Sequence, residues 1–577
     1  MPPIPSVTER VRDFGLGVTP PASMTPVIFG VSSQGDTNKL EQYATVQALK
    51  DARGEGPAVE TGAHVLSQGG GPIYFIGADP TIAASNGSVQ YAGTGPAITV
   101  SGSATLDARV RVKITGRGIR GTATFVYSCD DFEGALDSER TYSETLTVPT
   151  GGTFAVPNLG ISLVFAAPAM GSVTASGGGP AVTLTGTPAG DYQLVIEITK
   201  AGAVETAEFR WSIDGGESWE AEDVVTAATV ALGSTGITAN FAAGSYVLAE
   251  TYSAETNAYV PGDEYYVDVE CPAWNAGDLA EAFAVLSGND PWRFFVAVTS
   301  KGTGDETAHA LLATALQAHL NTLANASKYR AGMIPTEQGE AASDVVTAFS
   351  SVSAIRCLLA YGQQRQATMK PFPGFGFPVT HALDSFAAVA TAALPSTDLK
   401  RVASGPLPAV IKIFHDEYQD PTGLDNAKIS TLRTWDGKDG FYITQAWLKS
   451  PSGSDFTFWP RRILMDIACE TVHQMQIDFI GRGVRLNPDG SGTIHELDAI
   501  AWEEKIGEAL AAQLLTPNNA EGFGGHVQDV RYRISRTHNV RATGTIIGFV
   551  GILPLEYASF IETELGFVVA LPAPQAA

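Results

Sequence analysis

Two clusters in the chain combine residue types and spacing that could hold a metal ion, and a third could cradle a phosphate. Asn487-Pro488-Asp489-Gly490-Ser491-Gly492 through Asp498 sets side-chain oxygens at the first, third, fifth and twelfth places of a loop whose sixth residue is Gly492. That is the pattern by which a helix–loop–helix unit binds calcium. Against it, Pro488 stands second, Asp498 replaces the bidentate Glu, and Asn487 and Ser491 carry no charge. A turn cornered on Asp489-Gly490 uses the same residues without metal, so no specific calcium requirement is expected. His415, Asp416, Glu417 and Asp420 crowd ahead of Pro421. With no nucleophile or shaped pocket beside them they read as a solvated acidic loop rather than an acid–base or metal site. Gly116-Arg117-Gly118-Ile119-Arg120-Gly121 fits G-x-G-x-x-G, but a dinucleotide site needs a helix next, and a strand pattern follows. The chain has no G-x-S-x-G, P-loop or H-E-x-x-H. It is read as a non-enzyme with no catalytic residues, no cofactor and no metal.

Composition narrows the partners. Sixty-one acidic against 36 basic residues give a formal charge of −25, which opposes binding to a nucleic-acid backbone and keeps separate copies soluble until specific contacts form. The start, MPPIPSVTERVRD, lacks a basic-then-apolar leader, and the apolar stretch Ile546–Leu555 is short and contains Pro554. No stable membrane insertion is expected, and the protein should remain in the cytoplasm where it is made. Cys129, Cys271, Cys357 and Cys469 lie far apart and read as buried free thiols rather than a disulfide framework.

The 577 residues can bury several cores, and the chain divides as a multidomain α+β protein. Residues 1–24, punctuated by Pro2, Pro3, Pro5, Pro20 and Pro21, suit an extended arm. Residues 25–79 and 259–404 read as one discontinuous α/β domain. Its pieces are the strands at Val27–Gly30, Ile73–Ile76, Trp292–Val298, Tyr329–Ile334 and Ile355–Tyr361, and the helices Leu40–Ala52, Ala58–Gln68, Thr307–Asn325 and His381–Leu394. Between them, 80–170 and 171–258 form an internal repeat. Gly95–Thr99 recurs as Gly179–Thr183, Val112–Thr115 as Ile196–Thr199, and Phe125–Asp130 as Phe209–Asp214, all at one offset. Two tandem β-sandwich modules, immunoglobulin-like, are predicted as an insertion. The rest divides into 405–560, with helices from Pro460 and over Leu497–Leu515, and a C-terminal arm, 561–577.

The stretch Gly423–Phe479 carries no chemistry of its own, yet its order of pieces is distinctive. Leu424–Ala427, Arg433-Thr434, Gly440–Ile443, Gly453–Phe456 and Arg461-Arg462 follow one another, and in this order they resemble the contractile-tail sheath proteins of bacteriophages and related injection machines. The resemblance extends over about 24–77 and 259–577 and leaves 80–258 unexplained. It implies a structural subunit that stacks as hexameric rings around an inner tube, and whose contraction drives the tube through the target envelope for genome ejection. The implied partners are further copies of the chain, the tail tube protein, and baseplate and tail terminator proteins. The implied location is the virion tail, assembled in the host cytoplasm. A different class of function, carbohydrate-binding or adhesive virion surface protein, would act through the two β modules.

The termini are expected to tie subunits together. Phe567, Val568, Val569 and Leu571 form an apolar strand near the chain end, and such an edge invites pairing with a neighbour's sheet.

Overall fold

Five of the apolar runs become the parallel centre of one mixed sheet in the computed structural model, which describes residues 24–556 apart from 69–70, 131–140, 287–291, 337–340, 368–378, 401, 403 and 516–524. The sheet order is Leu40–Tyr43, Ile73–Gly77, Pro26–Gly30, Phe294–Ala297, Ala331–Pro335, Ala354–Ala360, Leu448–Lys449. The middle five strands are parallel and the two edges antiparallel. Parallel strands covered on both faces must be apolar throughout rather than alternating, and PVIFG, FFVA and AGMIP are buried at every position. One face packs under the helices Pro57–Ser67, Leu383–Ala392, Trp459–Ile477 and Glu496–Leu514. The other packs under Ala276–Val285, Glu306–Asn325 and Ala342–Ala348.

Local signals set the helix starts. Asp305 accepts from the Ala308 amide, Asn275 and Asp278 form a capping box, and Pro57 and Pro460 occupy first-turn positions where a missing N–H costs nothing. The helix expected over Leu40–Ala52 divides: Leu40–Tyr43 is an edge strand, and the helix is Val46–Arg53, capped by Thr45. Burial of Tyr43 and pairing of this strand with Ile73–Gly77 outweigh local helix propensity there.

Residues 82–273 leave and rejoin the body side by side, with the Ile82 and Ala273 backbones exchanging hydrogen bonds of 3.0 and 2.9 Å. The first module pairs Ser85–Asn86, Glu264–Glu270, Ala108–Gly116, Thr124–Asp130 and Leu146–Thr147 in one sheet, facing a second sheet of Thr153–Ala155, Ile161–Phe165 and Ile98–Gly102. The second module repeats the plan with Thr174–Ala175, Thr251–Glu255, Gln193–Lys200, Glu208–Ser212 and Ala221–Val225 over Val182–Gly186, Ile237–Phe241 and Thr229–Ala231. Each has its own apolar core.

The modules are nested, not tandem. Glu264–Glu270, assigned above to the α/β stretch beginning at 259, pairs with Ala108–Gly116 and seals the first module with Tyr265, Val267 and Val269. The second module is therefore inserted into the first, entering and leaving at the paired residues Met170 and Thr256. Sequence similarity could not show this, because the closing strand lies beyond the repeat.

The expected boundary at 404/405 does not divide a core. Leu432, Ile443, Trp459, Ile463, Leu510 and Tyr532 share one apolar cluster with Phe294, Val296 and Phe386, and Leu448–Lys449 closes the body sheet. A hairpin of Val527–Ile534 and Gly548–Pro554 ends the described chain.

Candidate functional site

In the three motifs read from the sequence, the side chains engage one another and the neighbouring backbone. In the loop Asn487–Asp498, the Asp498 carboxylate accepts from the Arg485 amide at 2.6 Å and its Nε at 2.9 Å, and Asp489 accepts from the Ser491 amide and hydroxyl. Asn487 donates to Thr493. Among the described residues no group of three His, Cys, Asp or Glu side chains gathers for a metal. In the acidic cluster, His415 pairs with Glu417 at 2.8 Å, while Asp416 accepts from the Thr434 amide and hydroxyl and the Tyr418 amide, which pins the loop to the next hairpin. Gly116–Gly121 turns from one strand into the next, and Gly118 pairs with Tyr259.

Two polar sites escaped the sequence reading. At the carboxyl ends of Pro26–Gly30 and Phe294–Ala297, where the connections part to opposite sides of the sheet, a small cavity of about 50 Å³ is lined by Glu60, Thr61, Asp107, Thr299, His381 and Asp384, among others. This is where open parallel sheets usually bind ligands, but its size suits a few waters. Asp384 is wholly enclosed; burial pushes its carboxyl up to about 7, although Thr61 donates to it at 2.6 Å. Burial drives His381 and His309 down to about 4. Asp107, from the first module, accepts from the Lys301 and Cys271 amides and so fastens the module's root to the body. These residues come from segments hundreds of positions apart. The one local signal was Asp384-Ser385 at the start of a largely apolar helix.

The second site is an ionic clasp. Arg293 and Arg330 immediately precede adjacent strands, and Arg356 lies near the start of the next. Asp466 and Glu470, one turn apart on the helix Trp459–Ile477, face them. Asp466, fully buried, receives Arg356 at 2.9 Å and Arg462 at 2.6 Å. Glu470 receives Arg293 at 2.9 Å and also Arg330. The pairing of a helix face with three strand starts requires the tertiary fold to be seen.

The stretch Gly423–Phe479 folds as one bonded unit on this clasp. Trp447 donates to Asp425 at 2.6 Å, Lys428 to the Ser450 carbonyl at 2.8 Å, and Arg462 stacks over Phe456 at 4.2 Å. Arg433 lies over Trp435 at 3.8 Å, and Tyr442 and Ile443 are buried.

Among the described residues, the terminal hairpin Val527–Ile534/Gly548–Pro554 pairs with no further strand. One face enters the core through Val530, Tyr532 and Ile534; the other exposes Arg531, Arg533, Phe549 and Leu553. Glu556, beyond it, returns to Arg461 at 2.8 Å. Phe567, Val568, Val569 and Leu571, and residues 1–23, lie outside the described residues.

No protein-family model matches the chain, and no curated protein does. The chain is similar to solved structures of contractile machinery. The sheath tail protein Lin1278 from Listeria innocua is 9% identical, with 93% of this chain and 96% of that one covered at a TM-score of 0.38. The anti-feeding prophage baseplate, 6-fold symmetrised, is 15% identical over 52% of this chain and 76% of that one, at 0.35. The same baseplate in its contracted state is 16% identical over 51% and 76%, at 0.37. These three TM-scores lie under 0.5, and the functional reading rests on the chain's own residues.

Proposed function

We infer that the chain is a structural subunit of a contractile tail sheath, polymerising as stacked hexameric rings around an inner tube and contracting to drive that tube through a cell envelope. The observation that carries this reading is the unit Gly423–Phe479. The phrases that resemble sheath proteins are the residues that fasten it: Asp425 to Trp447, Arg433 to Trp435, and Arg462 to Asp466 and Phe456. A subunit that slides past its neighbours under load needs such a rigid inner body, and flexible ties at its edges keep the neighbours joined. On this reading the open hairpin Val527–Ile534/Gly548–Pro554 accepts strands from neighbouring copies, and Phe567, Val568, Val569 and Leu571 supply one. The modules, read as immunoglobulin-like, project from the body.

Negative-stain microscopy of the purified protein tests this. Tubes or rings are the expected result. Deleting residues 1–24 or 561–577 should leave a folded protein with unchanged circular dichroism that no longer forms them. A full chain that stays monomeric at high concentration overturns the assembly reading, and truncated chains that still form tubes overturn the role of the ends.

A further inference from the structure

The two modules share one strand register, so the outer faces of their larger sheets can be compared position by position. In the first, Arg109 and Arg111 pair with Asp268 and Tyr266; in the second, Gln193 and Val195 occupy the same places opposite Glu255 and Ser253. The register on the other side agrees, Arg111 facing Ser128 as Val195 faces Ser212. The first face is filled and satisfied internally. Arg109 holds Asp268 through two bonds of 2.6 and 2.8 Å, and both arginines lie over the Tyr266 ring at 5.3 and 5.2 Å.

The second face is open. Replacing Tyr by Ser and Arg by Gln and Val leaves a groove of about 480 Å³, lined among others by Ser172, Thr174, Gln193, Gly215, Ser253 and Glu255. That volume lies within the usual range for small-molecule sites. Among the described residues, no hydrogen bond holds the side chain of Ser172, Thr174, Gln193, Ser253 or Glu255. Hydroxyls, an amide and a carboxylate therefore converge on one concavity with their hydrogen-bonding capacity unspent.

We propose that this groove on the second module binds a carbohydrate. The lining decides the class. It holds one carboxylate, Glu255, and no cation, with Arg117 near enough to feel that charge and itself paired with Asp191, so an anionic ligand is disfavoured. The lining contains no large apolar side chain besides Leu194 and Val195, so a hydrophobic ligand gains little. A neutral polyol presents donors and acceptors at each carbon, and carboxylate, amide and hydroxyl groups match it. Across the adjoining strand, Arg210 lies over the Trp219 ring at 4.0 Å and is held to Glu197 at 2.7 Å, so a longer saccharide running off the groove meets this half-buried stack. The site does not depend on polymerisation of the chain.

An array of defined mono- and oligosaccharides, neutral and acidic printed side by side, is probed with the full chain, and hits are titrated calorimetrically. The full chain should bind at least one neutral oligosaccharide. Restoring the first module's residues, Gln193→Arg with Ser253→Tyr, should weaken that binding at least tenfold. Should the filled variant lose its native circular dichroism, the surface pair Ser172→Ala with Glu255→Ala should give the same loss. Retention of no neutral saccharide, or equal binding by wild type and both variants, overturns the proposal. Tubes scored on the same sample separate this outcome from that of the assembly reading.

Discussion

In the body, Asp466 sits wholly buried between Arg356 and Arg462; in the first module, Arg109 and Asp268 make a pair of equally short bonds with Asp268 about a third exposed. The same chemistry does different work in the two places. Around Asp466 the charges are part of a continuous core that joins the sheet to the late helices, and they have no water to fall back on. Around Asp268 the charges cover the outside of a sheet whose stability comes from the apolar side behind it. The body is one interlocked object, whereas each module has its own core and joins its host where two backbones bridge, at Ile82 and Ala273 or Met170 and Thr256. Asp107 is bonded to Lys301 at the first junction and Arg117 to Asp191 at the second.

The largest test of that contrast removes a module. Excising 83–272 and joining Ile82 to Ala273 by a two-residue Asn-Gly turn follows the existing hydrogen-bonded pair. The product should fold with a single cooperative melt. Excising Asp79–Asn257 instead, the cut that a tandem arrangement suggests, strands Glu264–Glu270 without its partners. It bares Tyr265, Val267 and Val269, none more than 2% exposed, and should give insoluble protein. Soluble, cooperative folding of both products, measured by gel filtration and calorimetry, would break the nested description.

The difference between those two cuts marks where sequence stopped being informative. The parallel strands were legible because burial on both faces demands unbroken apolar runs, and one late helix because Pro460 suits a first helical turn. The modules were legible through repetition. Their nesting was not, since Glu264–Glu270 pairs with a strand about 150 positions earlier, and neither propensity nor similarity encodes that partner. The clasp was invisible for the same reason: Arg293, Arg330 and Arg356 look like ordinary charges until the sheet sets them in a row.

Within the body, Asp466→Ala should destabilise by about 3–5 kcal/mol, because it leaves Arg356 and Arg462 buried without a counter-charge. Denaturant titration checks this. A cost under about 1 kcal/mol would place the clasp on a level with the surface pairs and remove the contrast.

A pH-dependent effect of intermediate size should come from Asp384. Its carboxyl is raised to about 7 in the folded state against about 3.9 unfolded. The folded state thus holds the proton more tightly, and stability falls as pH rises from about 4 to 7 and is flat above. Asp384→Asn removes this contribution. Gln366 can follow by rotating its amide, since it donates to Asp384 at 3.3 Å while its own carbonyl oxygen has no partner. The variant should gain stability relative to wild type between pH 5 and pH 8, by an amount on the order of a few kcal/mol. His381 and His309, lowered to about 4, act with the opposite sign, costing stability as pH falls below about 6.5. They are common to both proteins and cancel in the difference. Thermal melts at the two pH values measure it, and a difference that does not change with pH would show that Asp384 is not held protonated.

The smallest effect should come from the exposed pair itself. Asp268→Asn keeps the shape of the side chain and one acceptor for Arg109, and water can solvate what the lost charge leaves behind. Arg109 also rests on Tyr266 at 5.3 Å, a contact the substitution does not touch. The cost should therefore lie between 0 and about 1 kcal/mol and shrink further in high salt, where exposed charges are screened over about 3 Å at 1 M. Denaturant titrations at low and high salt, run beside Asp466→Ala, give the ratio directly. If Asp268→Asn costs as much as Asp466→Ala, and salt does not reduce it, the outer face of the first module carries structural load. Its filling would then be a requirement of folding.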